Sequence, residues 1–137
     1  MLSACSGSGP DAGVVGCETN PAAQTYVAGM KQAGDGNKLS FVLVSSDPAP
    51  PLRGTNVWEV KVLDANGQPV TGATLTATPF MPEHGHGSQV VPTISADGQQ
   101  YKVSNLYLFM PGLWKVTLQA TQGSTTDSAA FTFCVAG

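Results

Sequence analysis

Residues 55–63 read Thr55-Asn56-Val57-Trp58-Glu59-Val60-Lys61-Val62-Leu63, and residues 64–70 continue Asp64-Ala65-Asn66-Gly67-Gln68-Pro69-Val70. Trp58, Val60 and Val62 fall on one side of an extended chain and Glu59 and Lys61 on the other, the period-2 pattern of a strand with one buried face. Asn66-Gly67 is the strongest turn dipeptide in the chain, because both residues tolerate positive φ. Residues 73–80 then return as a Thr-rich strand, with Leu75 and Ala77 on one side and Thr74, Thr76 and Thr78 on the other. Strands with one apolar face each need a second sheet to cover them.

The same grammar extends in both directions. Residues 39–46 carry apolar side chains on both faces, as a central strand does, and the run Asp47-Pro48-Ala49-Pro50-Pro51-Leu52 ends them. Residues 89–94 make a short strand interrupted by Pro92, which belongs at an edge. Ala96-Asp97-Gly98 turns into a strand whose phase slips: Tyr101 and Val103 alternate on odd numbers, Leu106, Leu108 and Met110 on even ones. A bulge at Ser104-Asn105 reconciles the halves. Trp114, Val116, Leu118 and Ala120 form the inward face of the next strand, and Phe131, Phe133 and Val135 that of the last. Near the N-terminus, residues 20–31 suit a short helix or coil segment, with Asn20 as N-cap, Pro21 at the first helical position and Gly29 weakening it. The expected fold is all-β: an immunoglobulin-like antiparallel β-sandwich of about seven strands, with a small barrel as the other arrangement.

At 137 residues the chain supports one domain, expected over residues 17–137, preceded by a Gly/Ser/Pro tether over residues 1–16. Six Lys or Arg oppose nine Asp or Glu, and the six are dispersed, so no basic footprint for nucleic acid or an anionic membrane emerges. Leu2-Ser3-Ala4-Cys5 followed by Ser6-Gly7-Ser8-Gly9-Pro10 looks like a bacterial lipobox remnant, with Cys5 as lipid anchor. That places the native precursor in the periplasm or at the cell surface, attached to membrane through lipid alone. In an exported protein the remaining pair, Cys17 and Cys134, favours a disulfide. Cys134 points away from the face shared by Phe131, Phe133 and Val135, so the N-terminal segment can reach it without entering the core.

Both histidines sit in Met81-Pro82-Glu83-His84-Gly85-His86-Gly87, and a second corner, Met110-Pro111-Gly112, precedes Trp114. Thioether and imidazole donors together select copper, Cu(I) above all. The expected ligands are His84, His86, Met81 and Met110, provided that the two strand ends meet at one rim. Trp114 is either a cover over the ion or, by its strand phase, an ordinary core residue. Zinc is the lesser candidate, because it asks for a third N, O or thiolate ligand and Glu83 is the only local one. An enzyme is not expected: no histidine lies outside the loop to activate a distant Ser or Cys, and no acid pair has suggestive spacing.

Together, Gly54-Thr55-Asn56-Val57-Trp58, Asp64-Ala65-Asn66-Gly67-Gln68-Pro69-Val70, the His-Gly-His-Gly loop and Met110-Pro111-Gly112-Leu113-Trp114 resemble the YtkA-like and FixH-like extracytoplasmic domains over residues 38–135. The Asp-x-x-Gly-x-Pro-Val part is shared by many sandwich domains; the histidine loop paired with Met-Pro-Gly and Trp is the specific part. The resemblance implies a β-sandwich with a role in copper handling or oxidase assembly; a monomer is expected, with a copper-delivery or oxidase-assembly protein as partner. The competing reading is a metal-free interaction or scaffold module that binds a protein through a strand edge or loop rim.

Overall fold

The computed structural model describes residues 16–137, so Cys5 and nearly all of the expected tether lie outside the described residues. Nine antiparallel strands follow in order: β1 (Met30–Ala33), β2 (Ser40–Asp47), β3 (Gly54–Leu63), β4 (Thr74–Met81), β5 (His86–Gly87), β6 (Thr93–Asp97), β7 (Gln100–Leu108), β8 (Gly112–Gln122) and β9 (Thr125–Val135). They form a five-stranded sheet, β1-β2-β3-β7-β6, packed on a four-stranded sheet, β5-β4-β8-β9. This is the expected immunoglobulin-like sandwich, with two more strands than the periodicity suggested. The additions are the two-residue β5 inside the histidine loop and β1.

β1 arises where a helix was one of the expected states. Asn20 does cap, its Oδ1 accepting the Ala22 N–H (2.8 Å), but no helical turn propagates. Gln24 instead donates its backbone N–H to Thr132 O (2.8 Å) and accepts the Thr132 N–H on its side chain (2.8 Å). The segment thus covers the edge of β9, and those tertiary bonds take the place of helical ones. Gly29, at φ +86°, then turns the chain into β1.

Alternation places the core correctly. Trp58, Val60 and Val62 of β3 are fully buried and face Val116, Leu118, Phe131 and Val135 of the other sheet in one cluster. The Trp58 ring stands edge-on to Phe131 and Phe133, at 6.2 and 5.9 Å. The Asn66-Gly67 turn forms, with Asp64 Oδ1 accepting the N–H groups of Asn66 and Gln68 and Leu63 bridging Pro69, but it does not pair β3 with β4. β3 pairs with β7 and β4 with β8, so the chain crosses from one sheet to the other. The expected bulge is present: Asn56 opposes Leu106 while Trp58 opposes Val103, leaving an extra residue in β7, with Asn105 at φ +56°.

The Cys17–Cys134 disulfide forms, with a Cα–Cα distance of 5.5 Å. Cys17 is buried and Cys134 lies opposite Leu113 of β8, outside the main core. Among the described residues no helix is long and apolar enough to cross a membrane.

Candidate metal centre

β4 continues one residue further than its Thr pattern suggested, and that residue is Met81. Burial along β4 alternates strictly, so Met81 falls in phase with Leu75, Ala77 and Pro79 and its side chain is fully buried. The chain then closes a tight turn, with the N–H groups of His84 and Gly85 both donating to Met81 O (3.1 and 2.9 Å). Gly85, at φ +72°, reverses the backbone so that His86 returns opposite Met81 as β5. The two imidazoles emerge side by side, with ring centroids 5.6 Å apart, and both residues are exposed.

The second corner meets this loop at Gly112. A Cβ there would lie 2.6 Å from Met81 Cε, so glycine leaves room for the end of the Met81 side chain, and 3.8 Å from His84 Nε2, an ordinary contact distance that places the imidazole at the same backbone position. Its φ of +142° is a second reason for glycine. Met110 stands two residues earlier, half-buried against the core, and its carbonyl accepts the Trp114 indole N–H (2.9 Å). The two strand ends therefore do share a rim, with Met81, His84 and His86 gathered about it and Met110 in the adjoining corner.

Trp114 is fully buried, as its phase with Val116 and Leu118 implies. The ring stacked on an imidazole of the loop belongs to Phe109, 5.8 Å from His86 at 24°, with Trp114 edge-on behind it at 5.5 Å. Phe109 escaped the sequence reading; it follows β7 out of phase with Leu106 and Leu108 and packs half-buried against the edge of the core beside Trp114. His86, Gly87, Gln89, Val90, Tyr107 and Phe109 line an open cleft of about 530 Å³. Phe80, Val90, Val91 and Tyr107 expose apolar surface. Across residues 77–92 and 105–114 the only ionisable acid or base besides the two histidines and Tyr107 is Glu83. Its carboxylate accepts a hydrogen bond from Asn20 Nδ2 (3.0 Å).

Among the described residues no three His, Cys, Asp or Glu side chains gather in a metal-binding cluster, so a site at this rim draws on thioethers. The larger groove, about 610 Å³, lies at the opposite end of β8 among Asn37, Lys38, Asp64, Asn66 and Gln122. Two of its polar side chains are already engaged, Gln122 Nε2 donating to Thr71 O and Asp64 receiving two backbone N–H groups. It offers no imidazole, thiol or thioether.

The profile of the family described as YtkA-like matches residues 34–119. No curated protein sequence matches the chain. Among solved structures, the chain is similar to FetP of uropathogenic E. coli strain F11, crystallised as isolated after recombinant expression in the periplasm of E. coli BL21(DE3). The TM-score is 0.52 at 12% sequence identity, over 82% of this chain and 97% of FetP. At that identity the likeness is one of fold.

Proposed function

Since the chain belongs to the YtkA-like family, we propose that it is an extracytoplasmic, lipid-anchored copper-handling domain that holds Cu(I) as cargo at the Met81–His84–His86 rim, with Met110 as a further donor. The observation that carries this reading is the convergence on Gly112 of Met81 Cε and His84 Nε2, beside a second imidazole 5.6 Å from the first. Two imidazoles and a thioether are a soft-to-borderline donor set in which Cu(I) is favoured. Zinc is less well served, because among the described residues no third His, Cys, Asp or Glu side chain gathers with the two imidazoles. The buried thioether and the exposed imidazoles leave one side of the site open, as release to a delivery or oxidase-assembly partner requires. The role is binding and transfer of an ion, without a catalytic step.

A second reading is supported by the exposed Val90, Val91, Tyr107 and Phe80 around the His86 cleft: a metal-free module that docks a partner on this apolar rim. Anaerobic titration against a Cu(I)-chelating dye, beside Cu(II) and Zn(II), separates the two. Stoichiometric Cu(I) uptake is expected, weakened more than about 100-fold in His84→Ala/His86→Ala, a larger loss than outer-sphere substitutions cause. Met81→Leu, which keeps the packing, is expected to weaken it too. Equal uptake by wild type and the double variant leaves the module reading in its place.

A further inference from the structure

Asn20 and Glu83 stand 63 residues apart in sequence, yet their side chains are hydrogen-bonded at 3.0 Å. Asn20 is held on its own side. Its backbone N–H donates to Cys17 O (3.0 Å), its carbonyl accepts the Ala23 N–H (3.0 Å) and its Oδ1 accepts the Ala22 N–H (2.8 Å). Cys17 is in turn bonded to Cys134, which lies opposite Leu113, the residue between Gly112 and Trp114. The turn bearing Asn20 is therefore fastened to the strand end against which Met81 and His84 rest. Glu83, for its part, precedes His84 in the turn closed onto Met81 O. Residues 82–86 are all exposed and include a glycine in the left-handed region; besides the bonds to Met81 O and the stack of His86 on Phe109, the Asn20–Glu83 bond ties this loop to the N-terminal segment.

We infer that Asn20 and Glu83 are positioning residues for the metal site: their hydrogen bond, anchored through the Cys17–Cys134 bridge, holds the 81–85 turn with the His84 imidazole beside Met81. This rests on the reading that the rim binds Cu(I), and it gives Glu83 a role other than that of a ligand. Its carboxylate oxygen is used as an acceptor for Asn20, and a neutral acceptor of the same shape serves equally well. Orienting a ligand in advance removes an ordering cost from binding.

Two measurements test it. Cu(I) affinity is expected to fall about tenfold in Asn20→Ala and in Glu83→Ala, the scale on which outer-sphere partners act. The double variant is expected to be no weaker than either single one, and Glu83→Gln is expected to match wild type. In the metal-free protein, amide exchange at His84 and Gly85 is expected to quicken in both alanine variants and not in Glu83→Gln. A loss in Glu83→Gln as large as in Glu83→Ala, with Asn20→Ala unchanged, makes the carboxylate itself the active group and overturns the inference. Unchanged amide exchange in both alanine variants overturns it as well. Should wild type take up no Cu(I), the function proposed above fails, and the exchange measurement alone decides the clamp.

Discussion

Asp127 is a buried carboxylate, 5% exposed, on the inward face of β9. Burial pushes its pKa up, but backbone N–H groups of Gly36, Leu39, Lys38 and Ser128 outweigh that and hold it down at about 2, below the ordinary 3.8. The three bonds from the loop before β2 measure 2.7, 2.8 and 3.0 Å, and a Cβ at Gly34 would fall on the carboxylate. Because the folded-state value is depressed, the stabilisation is complete above the unfolded-state value and is lost as pH falls through the window from about 4 to about 2. The shift corresponds to about 2 kcal/mol. Asp127→Asn is expected to cost at least about that much in urea unfolding at pH 7, with the gap to wild type narrowing towards pH 2. No sequence motif announces the role of this residue. Its phase with Ala129 and Phe131 puts it inside, but a lone acid there reads as a flaw until the loop that wraps it is known. Gly112 escaped for the same reason, since the side chain that crowds a Cβ there, Met81, comes from the neighbouring strand β4.

At the scale of elements, the parity change in β7 was readable because a slip of one residue moves every following side chain to the other face. Tyr101 and Val103 on one parity, with Leu106 and Leu108 on the other, could all be buried only if a residue was looped out between them. Asn105 is that residue, at φ +56° with its side chain donating to Thr93 Oγ1 (3.2 Å). Asn105→Gly is expected to change stability little, and Asn105→Val to cost about 1 to 3 kcal/mol, both read from thermal melts at matched pH. Residues 20–31 show where element reading fails. Asn20 and Pro21 supply a sound helix start, yet the bonds that Gln24 makes to Thr132 draw the chain along β9. Strand partners were equally hidden. Alternation in β3 and β4 told which faces are buried, and said nothing about β3 choosing β7 and β4 choosing β8 across the sandwich.

For the whole molecule, the Cys17–Cys134 bridge spans 117 residues and ties the first described turn to the last strand. Closing so long a loop removes unfolded-chain entropy, and Cys17→Ala/Cys134→Ala is expected to lower unfolding stability by about 4 to 5 kcal/mol, measured by chemical denaturation under non-reducing conditions. The pairing could be anticipated because only two cysteines lie within the domain and Cys134 is out of phase with its apolar neighbours. Fold class, inward faces, bulge, bridge and the clustering of both histidines in one loop were legible in the chain, because all depend on local periodicity or on the scarcity of a residue type. That Met81 and His84 come together beside Gly112, that Phe109 lies on His86, and that Asn20 reaches Glu83 emerged from the packing of the two sheets. Those meetings join residues far apart in the chain, and such distances are set by how the two sheets pack, which no local pattern encodes.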